Sequence, residues 1–167
     1  VLTEDMQRRA QEIAITTAKA YGICGLLAVE LFVTPSGEIM VNEVAPRPHN
    51  SGHHTIEACY TSQFEQHIRA VLDLPLGSTE LKCPAVMANL VGAEGYSGNV
   101  IYDGYYDLLG EAGINIHIYG KAQTRPFRKM GHVTAISNSR EEARAKAEWA
   151  KNSILVKTQD NALGQKL

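Results

Sequence analysis

The chain has 167 residues, a formal net charge of −2, 20% charged residues and 44% apolar ones. That balance is ordinary for a soluble globular protein and argues against broad electrostatic binding to nucleic acid. No apolar run approaches the ~20 residues that a membrane-spanning helix needs, so no membrane partner is expected.

A chain of this length buries roughly 70% of the surface its unfolded form exposes, enough for one domain or two small ones. It opens with Val1 rather than Met and without a basic-then-apolar signal segment, which points to a fragment or a processed product. Thr3 is a helix N-cap, Glu4 and Asp5 fill the first turn, and Met6, Ala10, Ile13, Ala14, Thr17, Ala18 and Tyr21 recur at helical spacing. Gly22 and Gly25 end that helix. Leu26 to Val33 and Ile39 to Val44 are β-type runs joined by the turn residues Thr34-Pro35-Ser36-Gly37, a hairpin. A loop rich in Pro, His, Asn and Gly runs from Ala45 to His54. Ser62 and Glu65 then have capping-box spacing ahead of the apolar face of Phe64, Ile68, Val71 and Leu72.

Leu74 to Ser78 reads as a boundary. Beyond it come a strand (Ala85 to Val91), a Gly-rich loop, a short helix near Tyr105 to Gly110 and a strand (Ile114 to Tyr119). A basic loop (Lys121 to Lys129), a strand (His132 to Ile136) and a helix (Arg140 to Asn152, capped near Ser139) follow; Ser153 to Leu167 reads as a short extended piece and a loose tail. The class is α+β, in two small units. Cys24, Cys59 and Cys83 are odd in number, widely spaced and without a CxxC pair, which fits reduced thiols in a cytoplasmic protein.

Three groups of residues carry chemistry. Glu30 and Glu43 fall nearly opposite each other across the hairpin, inside otherwise apolar runs. Like charges opposed across a ladder destabilise it. A hard divalent ion such as Mg²⁺, held by one or two carboxylates plus substrate phosphates, compensates them. A register slipped by one residue is the alternative, because it turns one Glu to solvent. Next, Arg47 and His49 stand beside Glu43 on a loop stiffened by Pro46 and Pro48. Arg offers a planar fork for phosphate or carboxylate, and His donates or shuttles a proton near neutral pH. The alternatives are an Arg47–Glu43 ion pair and a zinc cluster of His49, His53 and His54, the latter lacking a thiolate. Last, Lys121, Arg125, Arg128 and Lys129 precede His132 and form either a phosphate-monoester site or a solvated basic loop. Gly92, Gly95, Gly98, Gly104 and Gly110 match no phosphate-cradling fingerprint, and Tyr102, Tyr105 and Tyr106 read as packing residues.

Gly25 to Val33, then Val41-Asn42-Glu43-Val44-Ala45-Pro46-Arg47-Pro48-His49-Asn50-Ser51-Gly52-His53, then Thr61 to His67 closely resemble the 5-(carboxyamino)imidazole ribonucleotide synthases. These are ATP-grasp enzymes of de novo purine synthesis, the ATPase subunit of phosphoribosylaminoimidazole carboxylase. Tyr119-Gly120-Lys121 and Arg128 to Val133 resemble the same family's C-terminal domain, so the likeness runs from about Glu4 to Val156. It implies the C-terminal portion of an ATP-grasp lobe over residues 1–78 and a small α+β domain over 79–167. It also implies an ATP-dependent ligase that carboxylates aminoimidazole ribonucleotide with bicarbonate, giving ADP and phosphate, in a cytoplasmic homodimer. By resemblance Glu30 and Glu43 hold Mg²⁺ against the ATP phosphates, and Arg47 and His49 face bicarbonate or carboxyphosphate. Lys129, with Arg128 beside it, takes the ribonucleotide 5′-phosphate.

Two departures stand out. Many ATP-grasp enzymes carry Asn two residues after the second Glu, where this chain has Ala45. The glycine-rich flap, the phosphate lysines and the adenine pocket of the family are absent, so the chain by itself is expected to be inactive. Two other readings compete: a non-catalytic module that binds a phosphorylated metabolite or a partner, and a relative of the formate-dependent glycinamide ribonucleotide transformylases. The latter share a Pro-Arg-Pro-His loop, but the Asn-Ser-Gly-His after it here suits the synthases better.

Overall fold

Thr3 starts the first helix as its sequence dictates: its hydroxyl accepts the Met6 N–H, and the chain runs as α1 (Glu4–Tyr21) until Gly22 turns left-handed at φ 60°. In this computed structural model residues 2–159 are described. The fold is α+β, divided into two units. The first holds the residues up to Ile56 together with Tyr60–Glu80; the second holds Glu57–Cys59 and the described residues from Leu81 onward.

In the first unit, β1 (Ala28–Val33) and β2 (Ile39–Ala45) form a two-stranded antiparallel hairpin. Residues 46–54 hold one 3₁₀ turn, Asn50–Gly52, and lead to the four-residue helix α2 (Thr55–Ala58), whose last two residues are counted in the second unit and which the sequence pattern did not signal. Helix α3 (Gln63–Val71) is capped by the Ser62 hydroxyl, which accepts the Glu65 N–H. Its side chains Ile68 and Val71 remain exposed.

The second unit contains β3 (Ala85–Val91), β4 (Gly98–Asp103), β5 (Ile114–Ile118), β6 (Gln123–Thr124), β7 (Lys129–Ile136), α4 (Arg140–Ser153) and β8 (Leu155–Thr158). They make two three-stranded sheets, ordered β3-β7-β5 and β6-β4-β8. β7 is central, and Met130 to Ala135 are all buried, so the strand reads as an unbroken run rather than an alternating one. The small stripe Ala143, Ala147 and Ala150 is the buried face of α4. The core joins Leu90, Leu108, Met130, Val133, Ala150, Ile154 and Val156, with Tyr102 and Tyr105 packed against it. At Gly131 a Cβ would stand 2.4 Å from the His117 carbonyl oxygen, so the close approach of β5 and β7 requires glycine there.

Several expectations shift. The first strand starts at Ala28 rather than Leu26, because the Leu26 N–H is taken by His67 Nδ1 at 3.0 Å instead of a ladder. The glycine-rich stretch hid a strand, β4, and the basic loop hid β6. The helix expected near Tyr105 to Gly110 is a single 3₁₀ turn, Tyr106–Leu108, and Tyr106 is exposed rather than packed. The strand β7 begins at Lys129, not His132. Of the loose tail expected to end the chain, residues 160–167 lie outside the described residues.

Candidate metal and phosphate site

Glu30 and Glu43 are direct partners across the β1–β2 ladder. The register then shifts, with Leu31 opposite Val41, so Asn42 is the extra residue of a β-bulge. A bulge re-aims the side chains beside it. Here the Asn42 Nδ2 donates to Glu30 Oε2 at 3.4 Å. His49 arrives from the loop with Nε2 at 3.4 Å from Glu30 Oε1. Glu30, Glu43 and His49 each place one ligand atom so that all three lie within 4.8 Å of one another.

The surroundings differ from the expected apolar enclosure. Glu43 is exposed and the Glu30 side chain is 44% accessible, because the neighbouring apolar residues Phe32, Met40 and Val41 are themselves exposed. The case for a cation therefore rests on the closeness of two like charges, not on desolvation. Two of the three donors are carboxylates, hard oxygens that suit Mg²⁺ bound jointly with phosphate oxygens.

The His49 ring is fixed from its other side. Nδ1 lies 2.9 Å from Ser51 Oγ and accepts the Ser51 N–H at 3.4 Å. A backbone N–H can only donate, so in the neutral ring the proton is on Nε2, the nitrogen facing Glu30. The alternative zinc cluster is not among the metal-ligand groups of the described residues: His49 groups with Glu30 and Glu43, while His53 Nδ1 meets Gln63 and His54 Nδ1 meets the Ser51 carbonyl. Nor does Arg47 pair with Glu43; its Nη1 donates to the Pro48 carbonyl at 3.1 Å and the rest of the guanidinium is exposed.

Arg128 and Lys129 belong to the second unit. A second bulge lies beside them. Val91 pairs with Lys129 and Leu90 with Gly131, so Met130 is the extra residue. Its carbonyl accepts the Tyr102 hydroxyl at 2.9 Å and the Tyr119 N–H at 3.0 Å. Burial pushes the Tyr102 hydroxyl up, which keeps it a proton donor. Arg128 Nη1 donates to the Gln123 carbonyl at 2.7 Å and Lys121 Nζ to the Lys129 carbonyl at 2.6 Å, so two of the loop cations brace the loop. The Lys129 ammonium is exposed and makes no hydrogen bond or ion pair among the described residues, which leaves it available to an anion.

Sequence reasoning held Asn42 and Gln63 only as members of longer motifs, and it missed the two bulges. No local signal marks a bulge, since it is defined by the partner strand. Cys24, Cys59 and Cys83 are free thiols, and burial pushes the Cys59 thiol up, away from nucleophilic use. No helix among the described residues is long and apolar enough to cross a membrane.

Residues 1–64 match the ATP-grasp domain family and residues 85–146 the phosphoribosylaminoimidazole carboxylase C-terminal domain family. N5-carboxyaminoimidazole ribonucleotide synthase of Bacillus subtilis is 47% identical over 137 residues, 82% of this chain and 34% of the relative. The chain is similar to the N5-carboxyaminoimidazole ribonucleotide synthases along most of its own length. The chloroplastic phosphoribosylaminoimidazole carboxylase of Vigna aconitifolia is 48% identical, over 78% of this chain and 24% of its own length. The crystal structure of the Thermotoga maritima synthetase superposes with a TM-score of 0.85 at 52% identity, covering 95% of this chain and 44% of that one. The Aspergillus clavatus synthase, solved with ADP and 5-aminoimidazole ribonucleotide, gives 0.77 at 35% identity over 90% of this chain and 40% of that one. The chain thus spans between 24% and 35% of the length of the first curated relatives it matches.

Proposed function

We propose that the chain supplies part of the active site of an ATP-dependent ligase that carboxylates aminoimidazole ribonucleotide with bicarbonate, releasing ADP and phosphate. The observation that carries this reading is the convergence of Glu30, Glu43 and His49 within 4.8 Å, in a chain similar to these synthases. Residues 1–78 would form the C-terminal portion of the ATP-grasp domain and 79–167 the small C-terminal domain.

In this reading Glu30 and Glu43 hold Mg²⁺, which when bound neutralises charge on the transferring phosphoryl group. Arg47 presents its exposed guanidinium edge to bicarbonate or to the carboxyphosphate formed from it, and His49 Nε2–H donates to the same anion. Such donors, aimed in advance at developing negative charge, stabilise the transition state without reorganising. The amine of the ribonucleotide then takes the carboxylate and phosphate leaves. Lys129, with Arg128 beside it, binds the ribonucleotide 5′-phosphate as a point charge. The complete enzyme would act as a cytoplasmic homodimer, and the 167-residue chain alone would not turn over, since no glycine-rich flap or phosphate lysine accompanies these residues.

The test is phosphate release by the complete polypeptide with ATP, Mg²⁺ and bicarbonate. Release that depends on aminoimidazole ribonucleotide is the expected result. Release that depends instead on glycinamide ribonucleotide and formate would move the chain to the transformylase reading, and no release with either would favour a binding module.

A further inference from the structure

We infer that Gln63 is the positioning residue that sets the His49 ring against the carboxylate pair. It was singled out only as part of the motif from Thr61 to His67, and it is 7% exposed, in a unit whose other described residues are mostly open to solvent. Its side-chain amide pairs with His49 as a neighbouring strand would. Oε1 accepts the His49 N–H at 2.9 Å and Nε2 donates to the His49 carbonyl at 2.8 Å. The second Nε2 proton points to His53 Nδ1 at 2.8 Å. The orientation of the amide is forced, because a backbone N–H only donates and a carbonyl only accepts. The backbone of Gln63 is held in turn: its N–H donates to Thr55 Oγ1 at 2.9 Å, and that hydroxyl donates to the Gly52 carbonyl at 2.6 Å.

Burying an amide costs free energy unless its polar atoms are paired, and here both Oε1 and Nε2 are, so Gln63 is a pairing residue and not a space filler. What the amide alone provides is a two-point grip on the backbone of one residue, the one whose ring reaches Glu30. Residues 46–49 have no ladder partner of their own, and Gln63 supplies it. Gly52 completes the arrangement: a Cβ there would stand 2.6 Å from Gln63 Oε1.

The proposal rests on the role given to His49 above, and the experiment separates the two. Histidine side-chain ¹H–¹⁵N spectra of the labelled 167-residue chain are recorded at about pH 8 for wild type, Gln63→Glu and Gly52→Ala. Gln63→Glu keeps the shape and the acceptor for the His49 N–H but loses both donors. Gly52→Ala leaves Gln63 in the sequence and displaces its amide. His67 serves as the internal reference, because its Nδ1 accepts the Leu26 N–H and fixes the same tautomer independently.

The expected result is a single Nε2–H tautomer for both rings in wild type, and in both variants loss of that signature at His49 with retention at His67. A wild-type His49 in another tautomer, or a His49 signature unchanged in both variants, overturns the proposal. So does loss of both signatures in both variants, since Gln63 would then hold the unit rather than His49. Mn²⁺ added to the same samples tests the functional reading separately. Absence of paramagnetic broadening at Glu30 and Glu43 in wild type counts against the metal site and leaves the Gln63 grip standing.

Discussion

In the second unit Leu90, Leu108, Met130, Val133, Ile154 and Val156 are buried around one core; in the first, among the described residues, the buried side chains are Thr61 and Gln63, both polar. Each apolar side chain buried in the second unit contributes about 1.5–3 kcal/mol, whereas a hydrogen bond contributes about 0.5–1.5 kcal/mol net. The first unit is therefore ordered by specific pairings rather than by bulk burial: the Glu30–Asn42–His49 cluster, the Gln63 grip and the His67–Leu26 bond. Polar pairings fix positions finely, which suits a site. They also leave Phe32, Met40, Ile68 and Leu72 exposed, so the unit that carries the carboxylates has little stability of its own.

Hydrogen exchange is the strongest way to break this contrast. Amides of β3 and β7 should exchange on the order of 100-fold more slowly than those of the β1–β2 hairpin in the isolated chain. Equal protection would mean that the first unit has a core not visible in its burial.

A second prediction sharpens the division of labour between the units. In the complete enzyme Lys129→Ala should raise the KM for the ribonucleotide on the order of 10–100-fold, the loss of one hydrogen bond to a charged group, with kcat nearly unchanged. A change confined to the KM for ATP would remove Lys129 from the phosphate site.

The smallest effect belongs to the surface of the second unit. The Lys157 hydrogen bond holds the Asp103 carboxyl below its ordinary value, and Asp103 in turn raises Lys157. A lowered carboxyl stabilises the fold above its unfolded pKa of about 3.9 and loses that contribution as pH falls through the folded value. A raised ammonium stabilises below about 10.4 and loses it as pH rises through the folded value. The difference in Tm between wild type and Asp103→Asn should therefore be flat from about pH 5 to 9 and shrink at both ends. Because both groups are exposed, the difference should be small. A difference that peaks outside that window would point to another partner.

The hairpin, its turn and the opposition of Glu30 and Glu43 were legible in the sequence because alternation and turn chemistry are local signals. So were the caps at Thr3, Ser62 and Ser139. β4 was not, because glycines before it resemble a loop and its pairing with β6 and β8 is non-local. The bulges at Asn42 and Met130 and the Gln63 grip were not legible either, since each depends on residues that the chain brings together only on folding. The exposure of Glu43 was missed for the same reason: an apolar run shows what is available for burial, not what covers it.

The role of the carboxylate pair is tested by turnover of the complete polypeptide carrying Glu43→Gln, which keeps the shape of the side chain and removes its charge. With aminoimidazole ribonucleotide, ATP, Mg²⁺ and bicarbonate, phosphate release should fall to background while the circular dichroism spectrum stays that of wild type. Phosphate release at the wild-type rate would contradict that role and remove the carboxylate pair from the metal site.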